Sequence, residues 1–422
     1  MTVTLTVHRS AHEIGGNCIE LAWRGHRLLL DAGRPLDAPD KCDDRLLLPS
    51  SLDLSSPVDA VLLSHPHADH WGLAQALPEA WPLWTGAGSA ALIRLTGDVL
   101  GRPVGRKFHI WTAWKPFWAG VPFYVTPLLI DHSACDAYML RIDVGDRSVL
   151  YSGDFRLHGR KGHLTRRLIE QPPKGIDALV IEGTNLGTHK PHASESALED
   201  EFAALFRRTV GRVFVAWSAQ NLDRTVTLMR ACKKAGRRLA VDVYTADVLM
   251  TLREALGEAG SGIPQPDWAE VRVIVTRRLA AAYERAGRAH IIEAAKATGH
   301  ARSAADLRRD PGHWVIMTRA SLLGDYQAKG VIPTPADAWS FSMWHGYLAA
   351  RHGQEIEAWF DAGGTPAHHV HTSGHASPSD LQAFAEAVGA PTVVPVHGTA
   401  WASHGKGFRG LVAVEDGVPL SL

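Results

Sequence analysis

The chain has 422 residues, 45% of them hydrophobic, with 44 basic and 44 acidic side chains. This length and apolar content predict a globular protein of about two domains. Because the net charge is zero, any binding of nucleic acid would depend on local basic patches and not on the overall field of the protein.

The cysteines and the apolar runs exclude further classes of protein. The four cysteines are far apart and form no Cys-x-x-Cys pair, which argues against a zinc knuckle or a disulfide scaffold and favours a reducing compartment. The first residues lack the pattern of a signal peptide, and no run approaches the ~20 apolar residues of a membrane span. We therefore expect a cytoplasmic protein without a membrane partner.

Short strands and turns are predicted for the first 60 residues, at 2–8, 17–23 and 27–30. Asp31 follows the third of these strands and precedes a glycine turn. Taken alone, this carboxylate is better explained as a turn residue than as part of a site.

The strand-like run 59–63 ends in Ser-His-Pro-His-Ala-Asp-His at residues 64–70. Three histidines and a carboxylate within six residues are costly to bury without a partner. Imidazole and carboxylate groups suit zinc and its first-row neighbours, and dinuclear sites of this kind activate water for hydrolysis. The pattern therefore favours a metal site over a His-rich polar loop.

The next part of the chain holds predicted helices at 73–77 and 86–95 and an aromatic run at 111–118 with three tryptophans. Such a run is more simply explained by packing than by a platform that stacks nucleic-acid bases. Further strand-like runs end at polar residues: His132 follows 123–130, Asp154 follows 149–152 and Glu182 follows 178–181. Repeated delivery of polar groups at strand ends is how an α/β scaffold assembles a site from distant sequence.

Strands and helices alternate from about residue 188 to 368, which predicts βαβ units and a parallel sheet in a separate α/β domain. We expect Ser196 to cap a helix that ends at Thr209, and Thr245 to cap a later one. A helix over 222–235 should end at Gly236.

The last part returns to the earlier pattern, with a strand at 392–396 that ends at His397. Ser377 and Pro378 form a favourable N-cap and N1 pair for a helix over 379–388. Because a helix N-terminus attracts anions, phosphate included, the neighbouring His375 lies in a setting suited to a phosphate substrate.

Five motifs in this order resemble the β-CASP nucleases of the metallo-β-lactamase superfamily, the group that includes ribonuclease J and the endonuclease of pre-mRNA cleavage and polyadenylation. The motifs are Glu13 to Asn17 with Asp31-Ala32-Gly33, the His-x-His-x-Asp-His run, Tyr151 to Phe155, Ser373 to Ser377, and Pro395 to Gly398. The resemblance implies an αββα metallo-β-lactamase sandwich with an inserted β-CASP α/β domain. The expected parts are residues 1–187 and 369–422 for the sandwich and 188–368 for the insertion.

The resemblance also implies a role for each site residue. One zinc ion would be bound by His65, His67, His132 and Asp154, and a second by Asp69, His70, His397 and the bridging Asp154. Manganese is an alternative metal. Asp31 would steady the ligands, Asp69 and Asp154 would take part in catalysis, and Glu182 would pair with His375, which would protonate the leaving oxygen or bind a phosphate oxygen.

Substrate contacts are predicted at three places. Ser373, Gly374 and Ser377 surround His375, and Ser218, Asn221 and Arg224 fall loosely in the family's phosphate-contacting region. Arg160 and Lys161 belong to a basic run, Arg156 to Arg167, that follows Asp154. Such a run is usually a solvated face, and the alternative is that it tracks the RNA backbone. The loop Gly-Ser-Gln-Gly-Glu of ribonuclease J is replaced here by Thr318 to Gly324, so that mode of gripping RNA is not expected.

The expected activity is therefore zinc-dependent hydrolysis of phosphodiester bonds in RNA, with single strands favoured. Histidine at position 397 is found in RNA-processing members, whereas the DNA-repair nucleases of the family carry valine. The alternatives are a DNA nuclease, a thioester or lactone hydrolase, and a non-catalytic scaffold, which would be expected to lack some metal ligands. The sequence leaves the oligomeric state open, homo-oligomers included.

Overall fold

The computed structural model describes residues 2–39, 41–188 and 192–422. Its described residues divide into two compact units. Unit 1 contains residues 2–39, 41–94, 104–188 and 374–422, and unit 2 contains residues 95–103 and 192–373. The domain boundaries expected at residues 188 and 369 stay a prediction.

The strands of the described residues are, in chain order, β1 (Thr4–Arg9), β2 (Cys18–Trp23), β3 (His26–Leu30), β4 (Ala60–Leu62), β5 (Leu83–Thr85), β6 (Phe108–Ile110), β7 (Phe117–Trp118), β8 (Tyr124–Leu129), β9 (Tyr138–Val144), β10 (Arg147–Tyr151), β11 (Ala178–Glu182), β12 (Val213–Ala216), β13 (Arg238–Asp242), β14 (Val271–Val275), β15 (Ala301–Ser303), β16 (Trp314–Met317), β17 (Ala338–Phe341), β18 (Ala367–His368), β19 (Thr392–Val396) and β20 (Pro419–Ser421).

The α-helices are α1 (Ala68–Trp71), α2 (Ala87–Val99), α3 (Gly162–Glu170), α4 (Glu195–Arg208), α5 (Leu222–Ala235), α6 (Val243–Leu256), α7 (Arg277–Arg285), α8 (His290–Ala297), α9 (Ala320–Ala328), α10 (Arg351–Ala362), α11 (Pro378–Val388) and α12 (Trp401–His404).

Unit 1 is built on two mixed sheets. The first has the order β20-β1-β2-β3-β4-β5-β6 and the second the order β19-β11-β10-β9-β8-β7. A core of buried side chains from both sheets includes Leu21, Leu62, Leu140 and Val180. Further cores lie under α2 and under α11, so each sheet is covered on both faces. This arrangement confirms the predicted metallo-β-lactamase αββα architecture.

Parallel pairing brings the functional residues of unit 1 together. Strands β3, β4, β5 and β6 run parallel in the first sheet, and β10, β11 and β19 run parallel in the second. The C-terminal ends of parallel strands meet at the same end of a sheet. Asp31, His65, Asp154 and His397 therefore converge, since each follows the end of one of these strands.

Unit 2 is a single sheet in the order β15-β14-β13-β16-β12-β17-β18, with every strand pair parallel. This sheet confirms the expected βαβ organisation. Its core includes Phe214, Ile316, Trp339 and Phe360. Helix α5 begins after Asn221 and ends at Gly236, whose left-handed backbone, φ 69°, closes the helix as expected.

Three local predictions are wrong. Helix α4 is capped by Ser194, whose hydroxyl accepts the N–H of Ala197, and not by Ser196. Asp242 caps α6 in place of Thr245. Residues 73–77 do not form the expected helix: the short α1 ends at Trp71, and turns follow it. In the two capping errors another polar residue, two or three positions earlier, already accepts a free N–H group of the helix.

Candidate metal centre

Helix α1 is held in place by a close backbone contact that only glycine allows at position 33. A Cβ atom at Gly33 would lie 1.8 Å from the carbonyl oxygen of Asp69, so any side chain there would displace the helix. That carbonyl accepts the N–H of Asn17 at 3.0 Å. The close approach positions Asp69 and His70 against the end of β3.

The first group of candidate ligands is His65, His67 and His132. The Nδ1 atom of His67 lies 3.2 Å from Nε2 of His65 and 3.1 Å from Nε2 of His132. The Nδ1 atom of His132 is 2.6 Å from the carbonyl oxygen of Gly374, which can only accept, so Nε2 carries the lone pair. Burial lowers the pKa of His67 to about 4 and lowers the pKa of the other two well below the ordinary value. These are neutral imidazoles, the form that binds metal.

The second group is Asp69, His70, Asp154 and His397, whose ligand atoms lie within 4.8 Å of one another. Nδ1 of His397 contacts Oδ1 of Asn17 at 2.8 Å, which directs Nε2 toward Asp69, 3.8 Å away. Nε2 of His70 lies 3.1 Å from Asp154. The backbone of His397 is left-handed, φ 50°, a costly conformation for a non-glycine residue that recurs at functional sites.

Two observations show that divalent cations fit these groups. Among the described residues, Oδ1 of Asp154 and Nε2 of His397 are buried without a hydrogen-bond partner, which is costly unless another ligand meets them. Burial opposes a charge on His70, yet Asp154 and Asp31 outweigh it and raise its pKa well above the ordinary value. The second group thus favours positive charge, and its nitrogen and carboxylate donors are those of zinc or manganese sites.

Asp31 is fully buried and accepts several hydrogen bonds. Its carboxylate accepts the backbone N–H and the hydroxyl of Ser64, at 2.7 and 2.8 Å, and the hydroxyl of Tyr151 at 2.6 Å. It also lies 2.7 Å from Nδ1 of His70. A carboxylate behind a histidine fixes the tautomer and the ring orientation. Asp31 is thus placed to steady His70, as the resemblance implies.

Glu182 and His375 form a pair beside the two groups. Oε2 of Glu182 is 3.0 Å from Nδ1 of His375, and the buried carboxylate also accepts the N–H groups of Phe155 and Thr184. Burial lowers the pKa of His375, but Glu182 and Asp154 outweigh this effect and raise it to about 9. A protonated, partly exposed imidazole near the metal ligands can donate a proton.

The segment around His375 has further fixed contacts. Gly374 provides the carbonyl that orients His132, and a Cβ atom there would lie 2.7 Å from the Ser133 hydroxyl. The Ser377 hydroxyl accepts the N–H of Asp380 as the N-cap of α11, as predicted. Contacts of Ser373, Gly374 and Ser377 with a substrate stay predictions.

The basic side chains predicted to contact the substrate differ in burial and in their partners. Arg224 is fully buried in unit 2, where its guanidinium donates to Glu195 at 3.0 Å and to Ser342, so we do not retain it as a phosphate contact. Arg156 is likewise buried against Asp131. Lys161 is partly exposed, and its ammonium donates to the carbonyls of Ala134 and Cys135. Roles in RNA binding for Lys161, its partly exposed neighbour Arg160 and the exposed Ser218 stay predictions.

Asn17 and Tyr151 support the ligands, although neither was predicted as a site residue. Asn17 accepts from His397 and donates to the Tyr151 hydroxyl at 2.9 Å, which connects His397 to Asp31. Both residues lie inside motifs that carry the resemblance, so their position was a usable signal, although the motif does not reveal which side chain they contact.

This chain is similar to one known protein family and to several individual proteins. Residues 13–212 match the model of the metallo-beta-lactamase superfamily. The chain contains a metallo-β-lactamase domain. Ribonuclease J of Helicobacter pylori is 23% identical over 417 residues, which cover 94% of this chain and 56% of that protein. Ribonuclease J of Mycobacterium tuberculosis is 26% identical over 242 residues, or 54% of this chain and 42% of that protein.

The chain therefore spans about half the length of the curated relatives that it matches. A crystal structure of a protein of unknown function from Enterococcus faecalis has the same fold, with a TM-score of 0.76, 19% identity and full coverage of both chains. These similarities are consistent with the resemblance to β-CASP nucleases, in which the metallo-β-lactamase domain carries an inserted β-CASP domain. No helix of the described residues combines the length and hydropathy needed to cross a bilayer.

Proposed function

We propose that this chain hydrolyses phosphodiester bonds of single-stranded RNA and uses two zinc ions per chain. The observation that carries the proposal is the pair of ligand groups, in which histidine and aspartate side chains converge and two buried atoms, Oδ1 of Asp154 and Nε2 of His397, have no hydrogen-bond partner among the described residues. Its similarity to proteins named ribonuclease J supports RNA as the substrate.

The ligand groups suggest how the metals would be bound. His65, His67 and His132 would bind one ion and Asp69, His70 and His397 the other, with Asp154 shared between them. When bound, two such ions polarise the phosphoryl oxygens and make water a better nucleophile at neutral pH. Manganese could take the same oxygen and nitrogen ligands.

The protein's own contribution to catalysis is proton transfer and orientation. Glu182 is held by two backbone N–H groups and fixes Nδ1 of His375, which leaves Nε2 available to the substrate. We assign to His375 the protonation of the leaving oxygen, and to Glu182 the support of its charged form. Asp31 keeps the ring of His70 oriented through Nδ1.

A substrate panel tests the proposal. The purified protein, loaded with zinc or manganese, would be given matched single-stranded RNA and DNA and a thioester, with metal content measured by elemental analysis. We expect about two metal ions per chain and fastest cleavage of RNA. Faster cleavage of DNA would overturn the substrate assignment, and hydrolysis of the thioester alone would overturn the nuclease assignment. The Asp154→Ala variant, purified in the same way, controls for contaminating ribonuclease.

A further inference from the structure

One edge of unit 1 combines exposed aromatic rings with exposed positive charge. Residues 99–130 contain no aspartate or glutamate, although the chain as a whole carries 44 of them. Strands β6 and β7, both in this stretch, are the edge strands of the two sheets. Trp114 and Trp118, which lie on or beside these strands, are 43% and 57% exposed. Lys107 and Lys115 are also exposed.

Trp114 is held in an unfavourable backbone conformation. Its φ angle is 65°, in the left-handed region that bulky residues rarely adopt. Its N–H donates to the carbonyl oxygen of Pro127 at 2.7 Å, which fixes the chain in this conformation. Backbone strain that keeps a large apolar ring in contact with water contributes nothing to the core. Such strain is retained mainly at functional positions.

The rings beneath this edge form a rigid support. The ring of Trp84 stacks on His109 at 4.7 Å and on Phe117 at 4.6 Å, with interplanar angles of 22° in both pairs. Trp84 and His109 belong to the first sheet and Phe117 to the second, so the stack joins the two edges. Trp118 packs against Tyr124 at 4.9 Å. A base that stacks here meets rings that are already ordered.

This edge lies at the same end of the sheets as the candidate metal centre. The segment 111–114 follows β6 as Asp31 follows β3 and as His65 follows β4, and these strands are parallel. Pro127, the partner of Trp114, precedes the ligand His132 by five residues. Their Cα atoms can therefore be at most about 18 Å apart, a span of a few nucleotides.

We propose that Trp114, with Trp118 and Lys115, binds single-stranded RNA next to the metal centre, by base stacking and by contact with phosphate. This inference rests on the proposed function, because it names a contact for that substrate. Because this edge is positively charged, it favours nucleic acid over a second copy of the same edge, which would carry the same charge. Two carboxylates approach its far end, Asp59 beside Gly120 and Asp143 opposite Tyr124, and both are paired, with His26 and Arg141.

The variant Trp114→Gly tests the inference, because glycine removes the ring and accepts the left-handed backbone. We expect a melting temperature that is unchanged or higher. Binding of a short fluorescent single-stranded RNA, measured by anisotropy in EDTA to prevent cleavage, should weaken between about 5-fold and about 150-fold, the usual contribution of one stacked base. Trp114→Tyr should retain most of the affinity. Lys115→Ala should lower the slope of log affinity against log salt by about 0.7.

Three controls make the result decisive. Trp268→Ala removes an indole flanked by Asp267 and Glu270 and should leave RNA affinity unchanged. Metal content should be the same in Trp114→Gly and the parent protein, whereas the KM for RNA rises. A parent protein that binds RNA through Trp114 but cleaves no phosphodiester would refute the proposed function alone. Unchanged RNA affinity in Trp114→Gly overturns the inference, and if a dimer also dissociates by sedimentation, this edge contacts a second copy instead.

Discussion

The buried ion pairs of unit 2 and the candidate ligand groups of unit 1 satisfy their polar atoms in different ways. In unit 2 the buried Arg212 pairs with Asp337 at 2.7 Å and the buried Arg224 with Glu195 at 3.0 Å, and the partly buried Arg288 pairs with Asp247 at 2.7 Å. In unit 1 ring nitrogens of His65, His67 and His132 face one another, and atoms of Asp154 and His397 have no hydrogen-bond partner among the described residues.

This difference separates structural burial from a ligand site. A matched ion pair is complete within the protein, and its removal affects folding. Converging imidazoles and carboxylates are complete only when a cation joins them, so their removal should affect metal binding first. Variants in the two regions should therefore change different measurements.

The largest effect is expected for Asp154→Ala. Asp154 lies close to ligands of both groups, since its Oδ2 is 3.7 Å from Nε2 of His65 and 3.1 Å from Nε2 of His70. We expect loss of most metal and of detectable hydrolysis, measured by elemental analysis and RNA cleavage. Asp177→Ala, which removes a partly exposed carboxylate paired with Arg147, is the matched control. Two retained metals with retained activity in Asp154→Ala would refute the ligand assignment.

His375→Ala should keep both metals and lose catalysis. Since His375 is assigned to the leaving oxygen, we expect a decrease of about 10²- to 10⁴-fold in kcat on RNA. His12→Ala is the control, because it removes an exposed imidazole that is far from His375 in the sequence. A rate near that of the parent protein would show that the leaving group needs no proton from His375, and loss of metal would make it a ligand.

Arg224→Ala should destabilise unit 2 without direct loss of metal. The buried Glu195 would lose its partner, and breaking a buried pair costs about 3–5 kcal/mol in the free energy of unfolding. Denaturant unfolding measures this cost. The double variant Arg224→Met with Glu195→Leu should recover part of the stability, because no buried charge remains unpaired. Selective loss of RNA binding at full stability would instead return Arg224 to the substrate contacts.

The smallest effect is expected for Asn17→Ala. Without the Asn17 oxygen, His397 would no longer be fixed with Nε2 toward Asp69. Loss of such a supporting contact lowers metal affinity about 10- to 100-fold, which chelator competition can measure. Asn17→Asp keeps the acceptor and should retain most of the affinity. Equal affinities for the parent protein and Asn17→Ala would show that His397 needs no orientation by this residue.

The sequence predicted the fold and the convergence of the ligands because both depend on hydrophobic patterning. Apolar runs locate β4, β10, β11 and β19, and the residue after each run lies at the end of the sheet. Contacts between side chains that are distant in sequence have no such pattern. Asn17 and His397 are 380 residues apart, and nothing local indicates their hydrogen bond.

Charge was the less reliable signal. Arg156 lies in a basic run, and Arg224 falls in the region where the family contacts phosphate. Arginine is usually exposed, whereas tertiary pairing with Asp131 and Glu195 buries both. The tryptophans at 111–118 suggested packing, yet Trp114 and Trp118 are exposed. Exposure of this kind depends on which strands form the edges of the sheets, and short edge strands are weakly encoded in local sequence.

The position of His397 has a consequence during synthesis of the chain. The His65, His67 and His132 group is complete once about a third of the residues have been translated, whereas the second group waits for β19 to pair with β11. Residues 192–373, the larger part of unit 2, are translated in that interval. A nascent chain on the ribosome would therefore carry a half-built metal centre, so that the proposed nuclease activity beside the messenger RNA would begin only after His397 has been added and β19 has paired.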